Sequence, residues 1–383
     1  MTEPHLPAPG APDRAAPPDR AAPPDRAAPA DGGARSEDAG RESSRADPDN
    51  AGPAGVNEAP QQLDADGQPQ LTLFGLTGRV VPAIYLVGWI ASILGAGALA
   101  ISFMGSRNPF AGWLFVAGLA LLTVGLMASA GSQAIERSRR ASAPFHGPSP
   151  VLAFGVVVTV SLLALLVVLA PLSALGLDPS GPPGTAISLA VTTLVFVLVV
   201  RTLVVGTGAL SWAEIGFSRP VPGALADLAS GAMLALPVLA LTLVLAAILA
   251  RFLPQAASPL PAATSVGALL LNLVSASVLA PLGEELFFRG YTTTAWARAV
   301  GVRAAILRGA LFFSFAHVAT LFSPSFASGA GAALTEFVAL LPAGIALGWV
   351  FLARRSIWAS LGLHAMFNAL QLVLAFVVLT GRQ

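Results

Sequence analysis

Long apolar segments, separated by short polar or proline-rich stretches, make up most of the chain after residue 80. Apolar runs of about 18 residues or more are interpreted as transmembrane helices. Polar and apolar positions do not alternate as they would in the strands of a membrane β-barrel. The pattern therefore predicts an all-α, polytopic membrane helix bundle of about nine transmembrane helices. They are predicted near 81–104, 110–130, 150–171, 186–206, 224–250, 264–288, 304–322, 332–352 and 357–379.

The segment before the first apolar run has a different composition. Residues 1–70 are rich in Pro, Ala, Asp and Arg, and they contain "APPDRA" twice. With almost no large apolar side chains, this tail cannot bury a core, and we expect it to be disordered. Residues 71–149 are predicted to form a transmembrane hairpin with a basic cytoplasmic loop. Residues 150–383 are predicted to form the transmembrane core.

Composition supports the membrane class and excludes several chemistries. Hydrophobic residues make up 55% of the chain and charged residues 11%, against roughly a quarter charged in soluble domains. The absence of cysteine excludes thiol nucleophiles, disulfides and cysteine metal sites. All 21 basic residues are arginine. Together with the heavy use of Ala, Gly and Pro, this indicates a GC-rich bacterial genome, so we expect a multi-pass protein of the bacterial plasma membrane.

Arginine placement predicts the orientation of the bundle. Arg137, Arg139 and Arg140 lie between the second and third apolar segments. Short arginine-rich loops stay cytoplasmic. Alternation of the spans then places the N-terminal tail in the cytoplasm and the C-terminus outside.

The stretch "APLGEELFFRGY", residues 280–291, places two adjacent glutamates and an arginine at the end of an apolar run. Glu285 and Arg289 are four residues apart, so a helix brings them to one face in the order that favours an ion pair. Glu284 is turned about 100° away, and no basic residue lies three or four positions from it. A lone carboxylate in a poorly hydrated place is a candidate general base. The alternative is a carboxylate that hydrogen-bonds to neighbouring helices.

Two of the four histidines lie inside apolar segments. His317 follows Phe313 by four residues in "LFFSFAHVAT", and His364 precedes Asn368 by four residues in "LGLHAMFNAL". Residues four apart share a helix face. Each histidine therefore has a neighbour on its own face, and both need hydrogen-bonding partners inside the bundle.

Spacing predicts that these groups converge. The turn near Gly301 lies 17 residues after Glu284 and 16 residues before His317, so two helical arms would return them to similar depth. His364 lies nine residues after Arg355, about 13 Å deep at 1.5 Å per residue. Three helices are thus predicted to bring the groups into one layer of the inner leaflet.

Two chemistries suit this set of side chains. A carboxylate and an imidazole can orient and deprotonate water, while a second imidazole and a carboxamide can hydrogen-bond an oxyanion. Glu, His and His could also ligate zinc, although no H-E-x-x-H motif is present, and no G-x-S-x-G motif occurs either. We expect no metal and no other cofactor, because Glu285, the spare carboxylate that could orient a ligating imidazole, is matched to Arg289. Zinc stays possible.

Three motifs resemble the CPBP family of CAAX-protease and bacteriocin-processing proteins, also called the Abi family. They are "EELFFR" at 284–289, "FSFAH" at 313–317 and "HAMFN" at 364–368. The resemblance covers about residues 212–379.

The resemblance implies an α-helical intramembrane endopeptidase, of a family described both as glutamate-type and as metal-dependent. It implies that Glu284 and His317 activate water and that His364 and Asn368 hold the oxyanion. Glu285 and Arg289 would support the site. The implied partners are the lipid bilayer and a membrane protein or lipidated peptide substrate, not nucleic acid.

Two other functions are alternatives to proteolysis. One is a non-proteolytic membrane scaffold or a bacteriocin-immunity-type protein of the same fold. The other is a proton-coupled transporter in which Glu284 and the histidines relay protons, but no clear internal repeat is visible. The complete set of polar groups favours the enzyme. Two further acids are expected outside the site: Glu336 near the exterior end of its span, and Asp227 at the membrane interface.

Overall fold

The structure is a computed structural model. It describes residues 81–104, 109–140, 143–253, 260–319 and 326–381. Within these ranges the regular secondary structure is entirely helical, which confirms the all-α prediction. The predicted disordered tail, residues 1–70, lies outside the described residues.

Nine helices of 17 residues or more occupy the described ranges. They are α1 Pro82–Met104, α2 Ala111–Ser138, α3 Pro150–Ala174, α4 Pro182–Val205, α5 Val221–Leu249, α6 Val266–Val300, α7 Val302–Val318, α8 Phe326–Arg354 and α9 Ile357–Thr380. Eight of these, all except α7, are long and apolar enough to cross a membrane. The prediction of about nine spans therefore agrees with the fold, while α6 extends further than the predicted 264–288 and α7 is shorter than 304–322.

Close backbone contact joins α1 to α2. Gly88 lies against Gly125, and Gly95 lies against Gly118. A Cβ atom added to Gly95 would stand 2.4 Å from the backbone nitrogen of Leu122, so no larger residue fits without moving a helix. Such small-residue interfaces are a common way for helices to associate in lipid. Among the described residues, α1 packs substantially on α2 alone, and α2 also packs on α3.

A second close contact holds α9 against α5. A Cβ atom at Gly231 would lie 1.9 Å from the carbonyl oxygen of Ala359, and one at Gly362 would lie 2.1 Å from that of Leu228. These glycines let the two backbones touch. Since His364 follows Gly362 by two residues, the contact also fixes the position of this histidine.

Helix α6 is not α-helical along its whole length. Its α-helical turns are interrupted by two π-helical segments, Ser275–Leu279 and Leu286–Thr293, on either side of Ala280–Glu285. A π-helical turn widens the helix and changes the direction of the side chains that follow it, and such turns are frequent at functional sites. The two glutamates therefore lie on a short α-helical piece between two widened ones.

Aromatic packing surrounds the second π-helical segment. Phe287, Phe288 and Tyr291 are almost fully buried. The ring of Phe287 packs on Phe196 of α4, and the ring of Phe288 packs on Phe313 of α7, with centroids 5.4 and 5.3 Å apart. Tilted and edge-to-face contacts at these distances stabilise a buried cluster. The cluster places α6 at the centre of the helices that carry the motifs.

The chain reverses between α6 and α7 at Gly301, whose φ of 83° is a conformation that favours glycine. Helix α8 then runs antiparallel to α7, with Gly344 against Ala310. Glu336 lies eight residues before Gly344, and His317 lies seven residues after Ala310. Counting along this antiparallel pair places Glu336 at about the depth of His317, and its position away from the site stays a prediction.

Asp227 forms ion pairs with arginines of two other segments at the arginine-rich end of the bundle. It is buried at the start of α5, 3.4 Å from Nε of Arg219 and 3.5 Å from Nη1 of Arg354. Nη2 of Arg219 also donates to the carbonyl oxygen of Arg354 at 2.9 Å. This carboxylate is part of a structural ion-pair network.

Candidate active site

Glu284 lies at the meeting point of α6, α7 and α9. Its Oε2 atom is 3.8 Å from Nε2 of His317 and 3.8 Å from Nε2 of His364. This oxygen is buried and accepts no hydrogen bond from the described residues, although the Glu284 side chain as a whole is 21% exposed. The structure thus brings together three of the predicted site residues, and the central oxygen is directed at both imidazoles.

Glu285 points to a different face and is fully buried. Its Oε1 atom accepts a hydrogen bond from Nη1 of Arg289 at 2.9 Å, so the ion pair predicted from the four-residue spacing is present. The same oxygen accepts a second hydrogen bond, from Nδ1 of His364 at 2.8 Å. The expectation that Arg289 uses up this carboxylate is therefore wrong, because one oxygen serves both partners.

The sequence did not predict all of the contacts that Phe313 makes in the site. The Cζ atom of Arg289 stands 4.2 Å from the centroid of its ring, within the range of a cation–π contact. The same ring lies 4.4 Å from the imidazole of His317 and 5.7 Å from that of His364. Its spacing of four residues before His317 was the available signal, but the contacts with Arg289 and His364 come from other helices.

Both imidazoles are oriented through Nδ1. For His317 the partner of Nδ1 is the carbonyl oxygen of Phe313 at 2.9 Å, and for His364 it is the Glu285 carboxylate. A carbonyl and a carboxylate oxygen can only accept, so Nδ1 carries the proton in each ring. Each Nε2 atom therefore faces Glu284, and it bears a lone pair whenever its ring is neutral.

The types of residue at this site are suitable zinc ligands. Glu, His and His are zinc ligands, and each ligating imidazole would have the oriented Nδ1–H that zinc sites commonly show. The spacing fits less well, since ligands in a tetrahedral zinc site stand about 3.3–3.5 Å apart and the separations here are 3.8 Å. In the described part of the chain, no group of three or more His, Asp or Glu is arranged to hold a metal ion.

Asn368 lies one turn beyond His364 on α9 and reaches a different atom of α6. Its Nδ2 atom donates to the carbonyl oxygen of Ala276 at 2.9 Å, within the first π-helical segment. Thr193 of α4 makes the matching contact, with Oγ1 donating to the carbonyl oxygen of Leu279 at 3.0 Å. One amide hydrogen of Asn368 thus helps to hold the irregular part of α6, and its second amide hydrogen is the one that could bind an oxyanion.

Comparison with known proteins gives one result for this region. The family model described as type II CAAX prenyl endopeptidase Rce1-like matches residues 266–370. No curated protein and no solved structure matches the chain significantly. The matched segment begins with α6, contains the three motifs and ends within α9, and it supports an intramembrane protease of the CAAX type. This match is consistent with the CPBP family, to which the three motifs point.

Proposed function

We propose that the chain is an intramembrane endopeptidase that hydrolyses peptide bonds of a membrane-associated substrate, with water as the nucleophile. The observation that carries this proposal is the position of Glu284, whose Oε2 atom lies 3.8 Å from Nε2 of both His317 and His364. A separation of 3.8 Å is too long for a direct hydrogen bond, and a water that enters between Glu284 and the imidazoles could hydrogen-bond to both sides.

Glu284 and His317 activate the water. A water molecule that donates one hydrogen bond to Oε2 of Glu284 and one to Nε2 of His317 has a lone pair available for attack. As its oxygen attacks the scissile carbonyl carbon, Glu284 accepts the proton. The side chains of Glu284 and His317 are 21% and 22% exposed, so they remain open to a substrate, whereas Glu285, Arg289 and His364 are buried.

His364 and Asn368 stabilise the oxyanion that forms on the carbonyl oxygen. His364 can donate from Nε2 only as an imidazolium, because Nδ1 already donates to Glu285. When the tetrahedral intermediate collapses, Glu284 returns the proton to the leaving nitrogen, and the products are one carboxylic acid and one amine.

The family has also been described as metal-dependent, and that description implies a zinc ion at the site. Glu284, His317 and His364 would hold it, and it would lower the pKa of a bound water and polarise the scissile carbonyl. The roles of Glu285, Arg289 and Phe313 in orienting His364 and His317 are the same in both cases.

Quantitative membrane proteomics tests the activity. Membranes that contain the wild-type protein are compared with membranes that contain Glu284→Gln, which keeps the shape of the side chain and removes the base. Asp178→Asn serves as the matched control, because Asp178 is an exposed carboxylate in the loop between α3 and α4. We expect membrane peptides cut in the wild type and in the control to stay intact with Glu284→Gln. Equal cleavage by all three proteins, or by none, contradicts the proposal, and cleavage by none favours the non-proteolytic scaffold.

A further inference from the structure

Two cavities outside the candidate active site share one wall. The first, of about 710 Å³, lies where α6 and α8 end and α7 begins, and Arg298, Arg355 and Glu214 line it together with mostly apolar side chains. The second, of about 530 Å³, lies between α5 and α8 and is lined by apolar residues. Trp349 lines both cavities. The polar-ended cavity and the apolar groove therefore adjoin at this side chain.

One face of α8 follows this path from end to end. The lining residues of α8 run from Val338 in the apolar groove to Ala353 in the polar-ended cavity, at spacings typical of one helix face. Fifteen residues rise about 22 Å. This is about the thickness of one leaflet with its headgroup region, since the whole bilayer measures about 40–45 Å.

Two proline residues explain why a groove is present between α5 and α8. Pro237 lies inside α5 and Pro342 inside α8, and both line the cavity between the two helices. A proline in a helix interior removes a hydrogen bond and bends the helix. Two such positions facing each other keep α5 and α8 from packing closely at this level.

The charges that line the polar end of the first cavity do not cancel within the protein. Glu214 forms an ion pair with Arg298. The pKa of Glu214 is lowered by hydrogen bonds from Ser211 and by Arg298, so this carboxylate is ionised and already has its cation. Arg355 also lines the cavity, and among the described residues it has no carboxylate partner. It is, in addition, the one described non-glycine residue with positive φ, at 50°, a backbone conformation that is uncommon for arginine.

We propose that these two adjoining cavities together bind one anionic phospholipid of the bilayer. The phosphate lies against Arg355 and Arg298, because guanidinium groups hydrogen-bond phosphate oxygens in pairs. One acyl chain lies along α8 in the groove beside Pro237 and Pro342. Trp349, 53% exposed between the two parts, lies at the headgroup level, where tryptophan is enriched.

This site is separate from the proposed catalytic centre. Arg298 lies 14 residues after Glu284 on α6, which is about 21 Å along the helix. The lipid therefore touches α5, α8, the end of α6 and the start of α7 rather than the reacting groups. Its binding can be measured without a protease assay.

Native mass spectrometry of the purified full chain tests the proposal. The probes are phosphatidylglycerol, phosphatidylcholine and soluble glycerol phosphate, each added to delipidated protein. We expect one phosphatidylglycerol to be retained, at least tenfold more tightly than phosphatidylcholine, and glycerol phosphate not to be retained. Equal retention of the two lipids overturns the charge argument, and retention of glycerol phosphate alone overturns the acyl-chain argument.

Variants separate the two ends of the site. Arg355→Gln should remove the preference for phosphatidylglycerol, whereas Arg139→Gln, at another exposed arginine, should keep it. Ala346→Phe fills the groove and should reduce retention of both lipids at least tenfold, while Ala240→Phe, on the exposed surface of α5, should not. Unchanged retention in both Arg355→Gln and Ala346→Phe overturns the proposal.

Discussion

The carboxylate of Glu285 accepts a hydrogen bond from Nδ1 of His364 at 2.8 Å, across 79 residues of sequence. The same oxygen holds Arg289, so α6 and α9 are joined through one buried oxygen atom. The two adjacent glutamates therefore lie on opposite sides of the His364 ring. Glu285 orients the ring through Nδ1, and Glu284, which is partly exposed, faces Nε2.

Removal of Glu285 should destabilise the protein. Glu285→Ala leaves Arg289, which is 2% exposed, as a buried cation without its carboxylate, and breaking a buried pair costs about 3–5 kcal/mol. Equilibrium unfolding in detergent micelles measures the effect. Arg298→Ala breaks the pair with Glu214, in which both side chains are at least 36% exposed, and should cost no more than about 1 kcal/mol. A loss of less than about 1 kcal/mol for Glu285→Ala would show that the buried pair does not stabilise the fold.

Asn368→Ala should lower turnover by about 10²–10³, as expected for the loss of one oxyanion donor, with little change in substrate binding. Because Asn368 also holds the carbonyl of Ala276, a control must remove a similar helix contact. Thr193→Val does so by releasing the carbonyl of Leu279. Single-turnover and steady-state cleavage of a peptide substrate separate the two effects. A comparable loss in both variants would assign Asn368 to helix packing.

We predict that no metal is required for cleavage. The 3.8 Å separations around Glu284 are wider than a tetrahedral zinc site needs, and Asn368 is better suited to donate a hydrogen bond than to bind zinc. Purified protein should keep its activity after chelation and contain no stoichiometric zinc by elemental analysis. Activity that is lost on chelation and restored by zinc would identify Glu284, His317 and His364 as ligands.

The orientation of the bundle can be tested directly because the chain has no cysteine. The arginine-rich segment after α2 should be cytoplasmic, and the end of α9 should be exterior. In intact cells, a membrane-impermeant maleimide should label Gly381→Cys and leave Arg139→Cys unlabelled, and both positions are exposed in the structure. Labelling of both or of neither would rule out this orientation.

The contact between α1 and α2 should depend on glycine. Gly95→Leu places a side chain against the backbone of Leu122, which should push the helices apart and destabilise their contact by about 1–3 kcal/mol. Gly97→Leu, two residues away with open space around it, should have no such effect. Hydrogen exchange should accelerate in α1 with Gly95→Leu while α6 and α9 stay protected. Faster exchange in α6 as well would show that the hairpin supports the core.

Local patterns in the sequence predicted much of the fold and part of the site. Apolar run length predicted the helices, and four-residue spacing predicted the pair of Glu285 and Arg289, because both depend on neighbours along one helix. Equal spacing around Gly301 placed Glu284 and His317 at similar depth. These features need no knowledge of how distant helices pack.

Contacts between helices could be predicted less well from the sequence. The hydrogen bond from His364 to Glu285 depends on the rotation of α9 about its axis, which the contact with α5 fixes. The bond from Asn368 to Ala276 depends on π-helical turns in α6 that no residue pattern predicted.

The distribution of the proposed catalytic groups over α6, α7 and α9 has a consequence for biosynthesis. His364 enters the membrane after Glu284 and His317, because α9 follows α6 and α7 in the chain. Until α9 has been inserted and seated against α5, Glu284 lacks one of its two facing imidazoles and Glu285 lacks its histidine partner. On the proposed function, a nascent chain therefore has no complete catalytic centre until the last of these helices has been integrated.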